Sequence, residues 1–158
     1  MKTIVAVLHN IRSVHNVGSI FRTADAVGVS KIYLTGITPT PLDRLGKFRM
    51  DFTKVSLGAE KTVPWEYAAR TASTIKKLRE DGYLVCAIEQ SPRSVPYNRL
   101  KTKQKKIALV FGNEVRGLPP SVLSACDKVL EIPMHGMKES LNVSVAFGIA
   151  VYGMCSGV

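Results

Sequence analysis

The chain is poor in cysteine, in aromatic residues and in acids. Its 158 residues include 3 cysteines, 1 tryptophan and 7% aromatic residues, and 12 Asp plus Glu stand against 22 Lys plus Arg. Cys86, Cys126 and Cys155 are odd in number, far apart and set among apolar residues, with no C-x-x-C between them. That excludes a disulfide-knit module and a zinc ribbon, and it predicts buried free thiols in a reducing compartment. His9, His15 and His135 lack the spacing of a metal site, so no metal is expected. Long apolar runs are missing too. Thr3–Leu8 is too short for a signal-peptide core. Val143–Cys155, the most apolar stretch, falls well short of the ~20 residues that cross a bilayer. No membrane partner is expected, and a cytoplasmic location is the expectation that follows.

What is present bounds the class further. Apolar residues make up 46% of the chain, enough for a real core at this charge. A length of 158 residues corresponds to one domain, 1–158. The formal net charge of +10 makes polyanions the natural partner class, although many basic proteins are merely soluble.

Short β-branched runs alternate with helical patterns. Thr3–Leu8 reads as a buried strand. Val17, Ile20, Phe21, Ala24 and Val27 recur at helical spacing, which predicts a helix over Val17–Val27 with Asn16 as N-cap and Gly28 as its stop. Strands are expected at Lys31–Thr35, Tyr83–Ile88, Ile107–Phe111 and Lys128–Ile132, and helices at Glu66–Glu80, Pro120–Ala125 and Leu141–Cys155. Thr38–Phe52 and the basic Ser91–Lys106 read as connections. Alternation of this kind gives an α/β fold, a mostly parallel sheet flanked by helices. The last helix is apolar on every side, so it must be buried on every side, either by its own chain or, on one face, by a partner subunit.

Three clusters of polar residues fall where strands end, which is where α/β sheets bind ligands. The first runs from His9 to Ala26. Asn10, Arg12, Asn16 and Arg22 gather at a strand-to-helix junction suited to an anion. Asn16 is equally explained as a cap and Arg22 as a solvated side chain. The second, Phe111–Pro119, carries Gly112 and Gly117 but is neither G-x-G-x-x-G nor a P-loop, so nucleotide phosphates are not the expected ligand. Its glycines fit either a tight turn or the close approach of a flat group. The third leads from Ile132 through a glycine loop to Ser140, Asn142 and Ser144. Ser140 is a good N-cap candidate. Asn142, in the first turn of an apolar helix, needs hydrogen-bond partners if buried.

Together these clusters resemble the three motifs of the SPOUT superfamily of RNA methyltransferases, in its TrmH (SpoU) branch. The first reads loosely as N-x-x-N-x-G-x-x-x-R-T-A-D-A-x-G from Ser13 to Gly28, with Asn16, Gly18 and Arg22 in place. The second is F-G-N-E-x-x-G-L-P at Phe111–Pro119, and the third I-P-M-x-G-x-x-x-S-L-N-V-S-V-A at Ile132–Ala146. The resemblance implies a sheet whose C-terminal part forms a deep trefoil knot, a feature periodicity does not reveal. It implies a homodimer that binds S-adenosyl-L-methionine in the knot and methylates the ribose 2′-hydroxyl of tRNA or rRNA, tRNA being favoured. The cofactor-binding positions carried over are Ile88, Gly112, Ile132, Ser140 and Leu141. The catalytic group carried over is Asn16, Arg22, Glu114, Ser140 and Asn142, with Asn16, from the other subunit or the same one, expected to fix Arg22. An RNA base methyltransferase of the superfamily and a non-catalytic RNA-binding module of the same fold are the alternatives.

The basic excess then has a role. Arg93, Arg99, Lys101, Lys103, Lys105 and Lys106 lie in one acid-free connection, and Arg44, Lys47, Arg49 and Lys54 follow the second strand. Arg12, Arg44, Arg49, Arg93, Lys101 and Lys103 are the expected RNA contacts, through a salt-sensitive backbone attraction. Many relatives carry a separate N-terminal RNA-binding domain. Here none precedes the first strand and no tail follows Val158, so substrate selection is expected to rest on this domain, its dimer or an accessory RNA-binding protein.

Overall fold

The computed structural model describes residues 1–155. Thr3–His9 forms the first strand, β1, and its five interior residues are all buried. A strand buried on both faces belongs at the centre of a parallel sheet. β1 lies between β2 (Lys31–Thr35) and β6 (Lys106–Phe111), and every pairing in the sheet is parallel. With β3 (Trp65–Ala68), β4 (Leu84–Ile88), β5 (Val95–Pro96) and β7 (Lys128–Glu131), the order across the seven strands is β3-β2-β1-β6-β4-β7-β5.

Alternation along the strands feeds two cores. Ile4, Ala6 and Leu8 of β1 face helices α1 (Val14–Val27), α2 (Met50–Ser56), α3 (Ala59–Thr62) and α6 (Val143–Cys155). Val5 and Val7 face α4 (Thr71–Glu80) and α5 (Pro120–Ala125). On the first face Phe21 meets Phe52 edge-on at 5.2 Å, and Phe111 meets Phe147 at 5.1 Å. Gly18 lets α1 and α2 approach: a Cβ there would lie 3.1 Å from Val55 Cβ and 3.2 Å from the Phe52 carbonyl oxygen.

Several elements differ from expectation. The cap of α1 is Ser13, whose Oγ accepts the Asn16 N–H at 3.1 Å, so Asn16 lies inside the first turn with its side chain free for other work. The segment read as one helix over Glu66–Glu80 divides. Trp65–Ala68 extends to pair with β2, where Lys31 meets Glu66 at 2.7 Å, and only Thr71–Glu80 is helical. A free sheet edge outweighed local helical preference. The connection Thr38–Phe52 contains a Leu42–Phe48 bridge and the start of α2. The connection Ser91–Lys106 contains β5 and a 3-10 turn at Tyr97–Arg99.

The last helix starts at Val143, and Asn142 caps it. The Asn142 carbonyl accepts the Ala146 N–H at 2.9 Å, and its Oδ1 accepts the Ser144 N–H at 2.9 Å. Ser140 therefore precedes the cap, and Asn142 is exposed rather than buried. The helix is not enclosed by its own chain either, because Val145 and Tyr152 are 50% and 48% exposed. Cys86 is buried as expected, Cys126 is half-buried and Cys155 is exposed, against the expectation of three buried thiols. Burial pushes the thiols of Cys86 and Cys126 up to about 12, so both are inert at neutral pH.

After β7, which lies between β4 and β5, the chain returns across the sheet. There α6 packs between α1, β6 and the 3-10 turn of the β4–β6 connection. This path is compatible with the C-terminal knot expected from the resemblance.

Candidate active site

The carboxyl ends of β4, β6 and β7 and the segment from Ile132 to Ala146 enclose a cavity of about 210 Å³. A larger depression of about 570 Å³ lies at the opposite end of β4, between α4 and α5, and is open and shallow. Chemistry belongs with the smaller cavity, because strand carboxyl ends are where parallel sheets present loops and free backbone groups. All five positions expected to hold the cofactor, Ile88, Gly112, Ile132, Ser140 and Leu141, line it.

Its walls suit a flat, cationic ligand. Ile88, Phe111, Ile132, Met134, Leu141 and Val143 supply apolar surface, and the charged lining residues are Glu89 and Glu114, with no cation among them. Among the described residues, 133–141 make no backbone–backbone hydrogen bond, so their amides and carbonyls are available to a ligand. One carbonyl, that of Glu139, accepts from Gln90 Nε2 at 2.7 Å. At Gly112 a Cβ would lie 2.6 Å from the Gly117 carbonyl carbon and 2.7 Å from the Leu118 nitrogen, so this wall must be bare backbone. Gly117 has φ of 65°, and its left-handed turn brings the Leu118 N–H to Glu89 Oε2 at 2.9 Å. S-adenosylmethionine fits this donor set, which offers an apolar slot for adenine, free backbone edges for its hydrogen bonds and carboxylates for the sulfonium.

Beside the cavity the three motifs join in one hydrogen-bonded chain. The Glu114 carboxylate accepts the Arg12 N–H on Oε2 and the Ser13 N–H on Oε1, each at 3.2 Å. Oε1 also accepts Asn16 Nδ2 at 3.2 Å. Asn16 Oδ1 then accepts Asn142 Nδ2 at 3.1 Å, and Asn142 Oδ1 accepts both the N–H and the hydroxyl of Ser144. These directions fix both amide orientations. Partial burial pushes the Glu114 carboxyl up, but the hydrogen bonds from its own amide, Arg12, Asn16 and Ser13 outweigh that and hold it below the usual glutamate value. It is ionised at neutral pH, as these N–H donors require.

A second set of bonds stitches the strand ends together. Asn10 has φ of 51° and its Oδ1 accepts the Ile37 N–H at 3.0 Å, while its carbonyl accepts Asn113 Nδ2 at 2.7 Å. Beside it, burial lowers the pKa of His9, whose Nδ1 lies 2.6 Å from Thr71 Oγ1.

The structure thus brings Asn16, Glu114 and Asn142 together and places Ser140 on the cavity wall. It does not bring Arg22 to them. Arg22 is exposed on α1, about 9 Å along the helix axis and about 120° around it from Asn16, with which it shares no hydrogen bond. The expected fixing of Arg22 by Asn16 is therefore absent within the chain, because Glu114 and Asn142 occupy the Asn16 amide. Of the expected RNA contacts, Arg12 lies at the mouth of the site, and its own N–H is taken by Glu114. Arg44 and Arg49 lie around the Leu42–Phe48 bridge, where Arg49 is held in a two-pronged pair with Asp51. Arg93 and Lys101 line a separate groove, and Lys103 is exposed. Sequence reasoning passed over Ser13, Glu89 and Gln90, and named Ser144 without giving it a role. Ser13 and Ser144 stood inside the quoted motifs, whereas Glu89 and Gln90 carried no signal beyond following a strand.

Parallel sheet, C-terminal cavity and the three-motif chain define an α/β protein that presents a cationic-ligand pocket beside a polar cluster. The chain belongs to the SpoU rRNA Methylase family, whose model matches residues 3–152. It is 33% identical over 154 residues to a tRNA (guanosine(18)-2′-O)-methyltransferase of Aquifex aeolicus, covering 96% of this chain and 68% of that protein. Among solved structures, an AdoMet-bound rRNA methyltransferase from Sinorhizobium meliloti matches with a TM-score of 0.84 and 33% identity, over 96% of this chain and 55% of that one. A structure described as giving insights into the 2-OH methylation of C/U34 on tRNA matches with a TM-score of 0.81 and 26% identity, over 99% of this chain and 96% of that one. The chain therefore spans little more than half of some relatives and nearly all of another.

Proposed function

We propose that the protein is an S-adenosylmethionine-dependent RNA 2′-O-ribose methyltransferase acting on tRNA. The observation that carries this is the Glu114–Asn16–Asn142 chain beside a cavity whose only charged walls are carboxylates. When bound, the cofactor supplies an electrophilic methyl on a sulfonium, so no metal is needed to activate it. The protein must align the ribose hydroxyl with that methyl and find a place for the hydroxyl proton. Alignment in a closed site contributes up to about 7–11 kcal/mol in ideal cases. Orientation of the ribose is assigned to Ser140, on the cavity wall, and to the Asn142 amide, which donates to Asn16. The relative of nearly equal length, described by its tRNA substrate, supports tRNA over rRNA.

Arg22 enters this scheme from a second copy. On α6, Val145, Ile149 and Tyr152 recur at i, i+4 and i+7, and Val145 and Tyr152 are 50% and 48% exposed. α1 packs beside this helix, with Thr23 Cγ2 3.7 Å from where a Cβ on Gly148 would stand. Arg22 neighbours Thr23 in sequence on α1, and a second copy seated on the exposed α6 stripe is proposed to carry its own Arg22 toward this cavity. A guanidinium is a permanent cation with five N–H donors and no acceptor, so its role is to clamp the phosphate next to the target ribose, leaving that phosphate to help take the proton. A cytoplasmic location, where a tRNA substrate would be met, and an accessory RNA-binding protein that widens substrate choice belong to the same proposal.

The test is to map labelled methyl groups on tRNA by alkaline hydrolysis, with the wild type and Arg22→Ala. Alkali-resistant linkages that appear with the wild type and vanish with Arg22→Ala, at unchanged cofactor affinity, are the expected result. Alkali-sensitive methylated RNA would make it a base methyltransferase. RNA binding with no transfer would make it a binding module. Full turnover in Arg22→Ala would remove the arginine from the mechanism.

A further inference from the structure

Four cations outside the methyl-transfer site share one groove. It measures about 340 Å³ and lies along the β5–β7 edge of the sheet. Arg93, Arg99 and Lys101 reach it from the β4–β6 connection, and Lys128 reaches it from the start of β7. Asp127 is the one acid in its lining, and it is already committed. Its Oδ1 lies 3.1 Å from Arg79 Nε, and its Oδ2 accepts the Val85 N–H at 2.9 Å. Among the described residues none of the four cations meets a carboxylate within ion-pair distance. Arg93 is held in place by donating from Nη2 to the Leu123 carbonyl at 3.0 Å.

The groove is distinct from the cofactor cavity, and the two share no lining residue. They are nonetheless coupled in space. β7 runs from Lys128 in the groove toward Ile132 in the cavity, four residues at about 3.3 Å each, or about 13 Å. That is close to four stacked nucleotide steps of about 3.4 Å. The segment between Glu89 and Arg93 also joins them, with Gln90 holding the Glu139 carbonyl of the cavity loop at its near end.

Building on the RNA reading of the cavity, we propose that this groove binds the ribose-phosphate backbone of the substrate RNA about four stacked nucleotides from the methylated ribose. It sets affinity and register and takes no part in the chemical step. Its partner is phosphate rather than base, because its polar lining is cationic and phosphate contacts position a nucleic acid without reading its sequence.

The experiment compares Arg99→Glu with Lys128→Glu in one double variant against a matched pair, Lys61→Glu with Lys76→Glu, which changes net charge equally on exposed helix positions. The readouts are KM and kcat for unfractionated tRNA and tRNA affinity by fluorescence anisotropy across salt concentrations. The groove variant is expected to raise KM at least tenfold and leave kcat within about twofold. The slope of log affinity against log salt should fall by roughly 1.4–1.8, since each of the two phosphate contacts contributes about 0.7–0.9. The matched pair should leave slope and KM close to wild type. Unchanged KM and slope in the groove variant, with the wild type transferring methyl groups, overturn the groove alone. Equal losses in both pairs also overturn it, since net charge would then explain the effect. A wild type that neither binds tRNA nor methylates it overturns the RNA reading and the groove together.

Discussion

Glu114 shows how much a single side chain carries in this site. It receives two backbone N–H groups from the turn before α1 and one side-chain N–H from Asn16, so it fixes both where the helix starts and which way the Asn16 amide points. Its hydrogen bonds lower its pKa in the folded state, against the upward push of partial burial. The stabilisation this gives is complete above the unfolded glutamate value of about 4.3 and disappears as pH falls through the lower native value. Glu114→Gln is therefore expected to lower Tm at neutral pH, and the gap to the wild type should close on acidification below about pH 4. Thermal melts of both proteins across pH check this. A gap that persists in acid would mean that the carboxylate charge is not what holds the turn. The neutral amide also has only one acceptor, so Asn16 should lose its fixed orientation and methyl transfer should fall along with stability.

At the scale of elements, Asn142 combines two tasks that substitution can separate. It caps α6 through the Ser144 N–H, and it reaches Asn16 through Nδ2. Serine caps about as well as asparagine, whereas alanine at a cap costs roughly 0.5–2 kcal/mol. Asn142→Ser should keep the melting temperature of the wild type and lose most methyl transfer, while Asn142→Ala should lose both. An active Asn142→Ser would reduce this residue to a cap. The sequence made the strands of the sheet centre legible, because β1 and β6 are apolar without interruption. It also made the helix faces of α1 legible through Val17, Ile20, Phe21 and Ala24. It did not reveal β3, since Trp65–Ala68 is extended only because β2 offers an open edge. The caps of α1 and α6 were misplaced for a related reason. Ser13, Asn16, Ser140 and Asn142 are all plausible caps, and local preference does not rank them. The side-chain chain running from Glu114 to Asn16 and on to Asn142 decides, and it spans separations of 98 and 126 residues.

At the scale of the whole molecule, the site residues lie on two surfaces that one chain does not bring together. The cavity and the Asn16–Glu114–Asn142 chain are internal to the protomer, whereas Arg22 stands outside it. Among the described residues, Val145 and Tyr152 are the large apolar residues of α6 left about half exposed. Val145→Arg with Tyr152→Arg is expected to yield a folded monomer that binds S-adenosylmethionine but transfers no methyl group. Light scattering for mass and calorimetry for the cofactor check this. A dimer that persists in this variant would place the interface elsewhere. The five residues that the resemblance named for the cofactor come together on the wall of one cavity, beside Glu89 and Gln90, which it did not name. The groove on the β5–β7 edge was only partly legible. Arg93, Arg99 and Lys101 read as a charge run, and nothing in the spacing shows that Lys128 joins them from another strand.

The position of α6 also bears on how the protein is made. Phe147, Ala150, Val151 and Met154 are buried in the same core as Ile20, Phe21 and Ala24 of α1. An early helix is thus covered by one made more than a hundred residues later. Until α6 has been made, the apolar face of α1 has lost water on one side only and remains a ready target for chaperones and for unwanted self-association. A ribosome that stalls before α6 is complete leaves a nascent chain whose sheet can form but whose α1 stays uncovered, and such a chain offers quality control an exposed surface by which to recognise it.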